Sequence, residues 1–169
     1  RGVLEIGDQG FRLRQGEKAV IPDDIHAMWR WRVNRLVDRF DEHHARRALE
    51  IAATLGEDVV TDEGRRACSL AGCEIPLAMA PLMLGRRLAI ATDDGWTFSH
   101  TMLRESIERS SRDHGRWKRH HRFCAQALQD GGEDLSPIRI ERIALHFLEA
   151  EELESALPLL ISAAQAYQQ

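Results

Sequence analysis

The sequence predicts a mainly α-helical chain, built as a winged-helix module with a β-hairpin wing and followed by paired helices. Three observations predict it. Apolar residues recur at intervals of three and four over most of the 169 residues. One strand pair stands out, Leu88 to Ala91 and Trp96 to Phe98, around the turn Thr92-Asp93-Asp94-Gly95. Residues 136–169 form one helix–turn–helix unit of 34 residues, the length of a tetratricopeptide repeat.

Residues 1–20 alternate around turn signals. Val3 to Ile6, Gly7-Asp8-Gln9-Gly10 and Phe11 to Leu13 predict a short hairpin, with a turn at Gly16, at the end of a preceding domain. Residues 21–40 predict a connector helix that starts at Pro22-Asp23-Asp24, with proline in the first turn and acids at the positive end of the dipole. Ile25, Met28, Trp29, Leu36, Val37 and Phe40 share one face, interrupted by Arg32, and Trp31 lies off it.

Residues 41–98 predict the winged helix. Its first helix turns Ala45, Ala48, Leu49 and Ala52 inward and stops at Gly56. The next takes Thr61 as its cap, carries Asp62 and Glu63 in its first turn, and ends at Gly72. The third lies between Pro76 and Arg87, and Pro81 makes it short, kinked or late in starting. The hairpin follows, with Asp94-Gly95 expected to supply the positive φ angles of a tight turn.

Residues 99–135 predict a pair of helices, from Ser99 to about Arg109 and from Trp117 to Gly131, with a break at Asp113-His114-Gly115. Trp117, His120, His121, Cys124, Ala125 and Leu128 form the seam of the second. In the TPR-like unit, 136–169, the inward positions are Ile140, Ile143, Ala144, Phe147 and Leu148, then Leu153, Ala156, Leu157, Leu160, Ala164 and Tyr167. A single pair of this kind leaves one face uncovered, so further repeats are expected downstream.

Bulk properties narrow the function classes. A net charge of −4 and an ordinary apolar fraction argue against disorder and against a polyanion-binding tail. No apolar run is long enough to cross a bilayer, and no signal peptide is expected. Cys68, Cys73 and Cys124 are an odd set without metal-finger spacing, as expected of reduced thiols in a cytoplasmic protein. The chain opens on Arg1 and stops at Gln169 inside a helical pattern, as a piece of a longer polypeptide would.

The sharpest functional signal is His100. It falls where the hairpin feeds a helix, in the expected first turn, and a helix start favours an anion such as phosphate. A histidine there donates a hydrogen bond without a permanent charge. The chain has no Gly-x-x-x-x-Gly-Lys-Ser/Thr phosphate loop, so any nucleotide must be held by something outside it.

Other candidates are weaker. Arg104, one turn on, either reaches a phosphate or pairs with Glu105 or Glu108. His120, His121 and Cys124 have ligand-like spacing but sit on a packing seam, and His43-His44 reads as a solvated turn. Neither Cys68 and Cys73 nor Ser110 and Ser111 show an adjacent base, so the chain is read as non-enzymatic. The helix before the wing, Leu77 to Leu84, offers no base-reading side chain, with only Arg86-Arg87 at its far end, and the basic run from Arg112 to Arg122 has an apolar seam.

The order and spacing of several stretches resemble a known family. These are Ile21-Pro22-Asp23-Asp24-Ile25 with Arg32-Val33-Asn34-Arg35-Leu36, Ala48 to Gly56, Trp96-Thr97-Phe98-Ser99-His100 through Arg104-Glu105, His121-Arg122 with Ala125 to Leu128, and Ala144-Leu145-His146 with Ala156-Leu157. Over nearly its whole length the chain resembles the region that follows the nucleotide-binding core in bacterial signal-transduction ATPases with numerous domains, the STAND ATPases. The resemblance implies a winged helix packed on an ATP/ADP-binding domain (with Mg) of the parent protein. It also implies downstream repeats or a protein effector as partners, and a cytoplasmic regulatory role. In the related NB-ARC proteins a Met-His-Asp motif contacts the phosphate of ADP. Ser99-His100-Thr101 looks like that motif with the histidine kept and its neighbours replaced, which implies His100 as an ADP-phosphate sensor. The alternatives left open are a DNA-binding winged-helix regulator and a passive helical scaffold.

Overall fold

A computed structural model of the chain describes residues 4–7, 10–13, 25–132 and 136–167. In order, the elements are β1 (Leu4–Gly7), β2 (Gly10–Leu13), α1 (Ile25–Val37), α2 (Glu42–Leu55), β3 (Asp58–Val60), α3 (Thr61–Leu70), α4 (Met79–Gly85), β4 (Ala89–Ala91), β5 (Gly95–Phe98), α5 (Thr101–Asp113), α6 (Trp117–Gln129), α7 (Pro137–Glu149) and α8 (Leu153–Ala166). The described chain is mainly helical, with a small three-stranded antiparallel sheet of order β3-β5-β4 and a separate antiparallel pair, β1-β2. The expected helix start at Pro22-Asp23-Asp24, the turn at Gly16 and the tip of the first hairpin lie outside the described residues.

α2 is the hub, and its composition explains why. Ala45, Ala48, Ala52 and Ala53 let neighbours approach closely, and Leu49, Ile51 and Leu55 fill the space between them; all are buried. From Ala48 to Leu55 every residue is buried, so this half of the helix lies in the interior, and α1, α3, α5 and α6 all pack on α2. Asp41 caps its start, accepting a hydrogen bond from the His44 amide at 3.1 Å. Asp41→Ala is expected to cost about 1 kcal/mol, read as a lower urea midpoint with an unchanged slope.

Most of the sequence-based expectations for α2 to α6 match the observed elements, and the differences have physical reasons. β3 was not foreseen, because three residues carry no periodicity. The α3 cap is Val60, not Thr61, and it makes no side-chain bond; the Thr61 amide instead donates to the Asp94 carbonyl at 3.0 Å. Pro81 stands at the third position of a short α4, where its missing amide costs nothing. α5 continues four residues past Arg109 and ends before Gly115, whose φ is +66°. His100 is not in the first turn of α5 but immediately before it, as the N-cap residue, with φ −146° and ψ 121°.

The two last helices pack on each other and form, with α6, a second small core of Ala125, Leu128, Ile143, Phe147 and Ala156. On α8 the inward side is Ala156, Leu159 and Ala163. Leu153, Leu157, Ala164 and Tyr167, expected inward, are exposed, and so is Leu148 on α7. His146 takes the buried place instead.

Arginines tie these parts together by binding carbonyls that helix ends leave open. Arg142 donates to Leu55 O at 3.0 Å, Arg66 to Ala127 O at 3.1 Å and Arg139 to Leu128 O at 2.6 Å. The buried Glu63 of α3 faces Arg142 at 2.9 Å and Arg139 at 3.6 Å, so charge is matched across α3 and α7.

Candidate functional site

Two hydrogen bonds set the position of His100. The Leu88 amide donates to Met83 O at 2.9 Å and the Ser99 amide to Leu88 O at 3.0 Å, which delivers the chain from β5 to the start of α5 beside α4. The His100 carbonyl then accepts from the Leu103 amide at 3.0 Å, the first bond of the helix. The imidazole is exposed and stacks on Trp29 of α1, with ring centroids 5.2 Å apart. It does not cap its own helix, so its ring nitrogens are not committed to the first-turn amides.

Trp29 is 6% exposed, and its indole nitrogen is buried without a hydrogen-bond partner. The guanidinium of Arg32 lies 4.9 Å from the centre of its ring. Trp31 projects away, half exposed, with the guanidinium of Arg35 at 4.9 Å from its ring. His100 and Arg32 therefore both lie against the ring of the buried Trp29, where α1 meets the start of α5.

Arg104 is turned away from this junction: it pairs with the Glu108 carboxylate and reaches Ala53 O at 3.4 Å. Burial raises the Glu108 carboxyl, while Arg104 and Arg112 oppose that rise.

His120 and His121 do not converge on one ligand. The His120 Nε2 donates to Glu50 at 3.2 Å, whereas His121 Nδ1 lies 2.9 Å from His146 Nδ1 with Trp117 edge-on to its ring. Burial, with positive Arg112 nearby, pushes His121 down to about 4, and burial beside His121 and Arg142 pushes His146 to about 3. Both are uncharged at neutral pH, so a single proton bridges the two rings. Cys124 Sγ points to Ile51 O at 3.9 Å. Cys68, Cys73 and Cys124 are buried free thiols. His44 is not merely solvated: its Nδ1 accepts from the Glu74 amide at 3.0 Å.

The basic run from Arg112 to Arg122 is largely committed. Arg112 stacks on Trp117, Arg116 binds Glu50, Lys118 reaches Glu151 at 2.5 Å and Arg122 pairs with Glu152.

Two features escaped the sequence reading. Glu50 is 1% exposed inside α2 and is held by Arg116 through two bonds of 2.7 Å and by Ser110 at 3.3 Å. Its signal was a lone acid within the apolar run Ala48 to Leu55. The second is an arginine-lined cleft formed by Trp31, Arg32, Arg35, Arg86 and Leu88, of about 320 Å³. Its signal was arginine at 32 and 35, one turn apart on one face of a helix, where Arg32 had been read as an interruption.

Compared with protein-family profiles, with curated proteins and with solved structures, the chain shows no significant match to any of them.

Proposed function

We propose that the chain is the winged-helix and helical adaptor segment of a cytoplasmic STAND-type signal-transduction ATPase, relaying the nucleotide state of an upstream domain to helical repeats downstream. The observation that carries this reading is His100, exposed and uncommitted at the N-cap of the helix that leaves the hairpin. The order of α2, β3, α3, α4, β4 and β5, with the sheet arranged β3-β5-β4, supports the winged-helix assignment. The stripe of Leu153, Leu157 and Ile161, all exposed on α8, supports TPR-like stacking against a further helical pair.

At the start of α5 the residues fit one phosphate contact, from His100. His100 would donate to a phosphate oxygen beside the open amides of α5, and the bound nucleotide would supply the ligand-state signal. The nucleotide's main cradle, with Mg, would belong to the upstream domain. Packing of that domain on α1 and α5 with ADP present, and release on exchange, would form the two-state element. The segment itself performs no chemistry in this scheme.

The test is His100→Ala in the intact polypeptide, with ADP release followed by a fluorescent analogue. A lost hydrogen bond to a charged group corresponds to about 10- to 100-fold faster release. The midpoint of unfolding should stay within about 0.5 kcal/mol of the original, since the ring is exposed. Unchanged ADP retention and unchanged signalling output would remove the sensor role. A scaffold without that role would then be the better description.

A further inference from the structure

Arginine accounts for nearly all the basic charge of this chain, and part of it is paired with acids. Arg46, Arg65, Arg104, Arg112, Arg116, Arg122, Arg139 and Arg142 each face a carboxylate. Arg32, Arg35, Arg39 and Arg86 form no ion pair among the described residues, as is also true of Arg30, Arg47, Arg66, Arg87, Arg109 and Arg119, and Asp38, within the same stretch, pairs with none of the four; what sets this group apart is where it gathers. Three of the four line the same cleft of about 320 Å³.

The fold brings them together at some cost. The turn after α4 places Arg87 at φ +56°, a left-handed conformation uncommon for a non-glycine residue. Arg86, beside it, reaches back to α1, where it donates to Arg35 O at 3.4 Å. That bond uses one donor of five and leaves the rest of the fork open. Burial, and then the charges of Arg39, Arg35 and Arg32, lower the Arg86 pKa. Like charges gathered without a counter-charge raise the energy of the free state, and an anion that fills the cleft relieves it.

The cleft is also ordered in advance. Arg32 lies over Trp29 and Arg35 over Trp31, three and four residues apart on α1, so two guanidiniums are steadied by aromatic faces while their edges remain free to donate. Planar forks arranged in this way match the oxygens of phosphate groups, which accept two parallel N–H bonds each. Leu88, at the floor of the cleft, is bonded to Ser99, so the cleft adjoins His100 and the start of α5.

We infer that the cleft between α1 and the α4–β4 turn, lined by Arg32, Arg35 and Arg86, is a binding site for an oligophosphate anion of the pyrophosphate class. It rests on the nucleotide-relay reading for the identity of the parent ligand, a nucleoside diphosphate, but not for the binding chemistry.

The experiment is calorimetric and thermal titration of the 169-residue chain with inorganic pyrophosphate, ADP, sulfate and a short DNA duplex, at matched ionic strength. Pyrophosphate and ADP should bind and raise the melting temperature, and sulfate should do so much less. Arg35→Gln and Arg39→Gln, both at exposed positions, keep the fold testable. Arg35→Gln should weaken pyrophosphate roughly tenfold or more, and Arg65→Gln, on α3, should leave it unchanged. Arg35→Lys should recover only part of the loss, because it restores the charge without the fork. Equal responses to sulfate and pyrophosphate, or an undiminished response in Arg35→Gln, would overturn the inference. Tight duplex binding without a pyrophosphate response would also overturn it, in favour of a nucleic-acid surface. None of these outcomes touches the His100→Ala test in the intact polypeptide, so the two readings fail separately.

Discussion

Glu50→Ala is expected to be among the most damaging single substitutions in the chain, lowering the unfolding free energy by about 3 kcal/mol. The carboxylate lies within α2, 1% exposed, and joins three elements: Ser110 from α5, Arg116 from the turn that follows, and His120 from α6. Its removal leaves His120, itself buried, without an acceptor, and strips Arg116 of two charge-assisted bonds. Arg116 is partly exposed and can turn to water, which keeps the loss at the lower end for a broken buried pair.

The same carboxylate sets an acid limit on stability. Burial alone would raise its pKa, but hydrogen bonds from Arg116 and His120 and their charges overcome that and hold it at about 2, below the ordinary 4.5. A folded-state value below the unfolded one means that the contribution is complete above about pH 4.5 and fades as the pH falls toward 2. Across that window the Glu50 contribution to be lost is about 3 kcal/mol. Urea unfolding of the original chain and of Glu50→Gln at a series of acid pH values checks it. The stability difference between the two should shrink as the pH drops, and a difference that stays constant would dissociate the network from the acid response.

Glu50 shows where sequence reading stops. The helical periods of α1 to α7 and the hairpin of β4 and β5 follow from local rules, and local rules read them well. A charged residue between Leu49 and Ile51 breaks the apolar pattern without saying what satisfies it, because the partner is 66 residues away. The arginine cleft has the same origin: the face of α1 is readable, but Arg86 joins it only through the turn after α4. On α8 Ala156 is buried as expected but Leu153, Leu157, Ala164 and Tyr167 are not, for a different reason. Several apolar stripes coexist on it, and only packing against α7 chooses Ala156, Leu159 and Ala163 over the rest. His100 was placed within one residue of its observed position, since a strand ending at Phe98 forces a helix start soon after. What that exposed ring faces depends on surfaces beyond its own element.

Gly95→Ala should be as damaging as the loss of Glu50, and for a reason the sequence misassigned. Asp94-Gly95 suggested a turn that needs positive φ, yet neither residue adopts it; among described residues the positive-φ glycines are Gly56, Gly72, Gly115 and Gly132. Gly95 is instead the first residue of the central strand β5, paired with Val60 of β3, and the two backbones come unusually close there. A Cβ at position 95 would stand 2.0 Å from Val59 O and 3.1 Å from the Thr61 amide nitrogen. Both are main-chain atoms, so no rotamer change can make room. Either β3 must leave β5, which loosens the Thr61–Asp94 bond that starts α3, or β5 must shift and carry Ser99 and His100 with it. Overpacking against backbone is expected to cost at least about 3 kcal/mol, measured by urea unfolding. Amide exchange should rise at Val59, Val60 and Thr97 before it rises in α2, because the sheet edge opens first. The displaced α5 start should at the same time weaken the stacking of His100 on Trp29, seen as a change in tryptophan emission. Gly95→Ala with wild-type stability would mean that the close approach of β3 and β5 is absent in solution, and the placement of His100 built on it would fall as well.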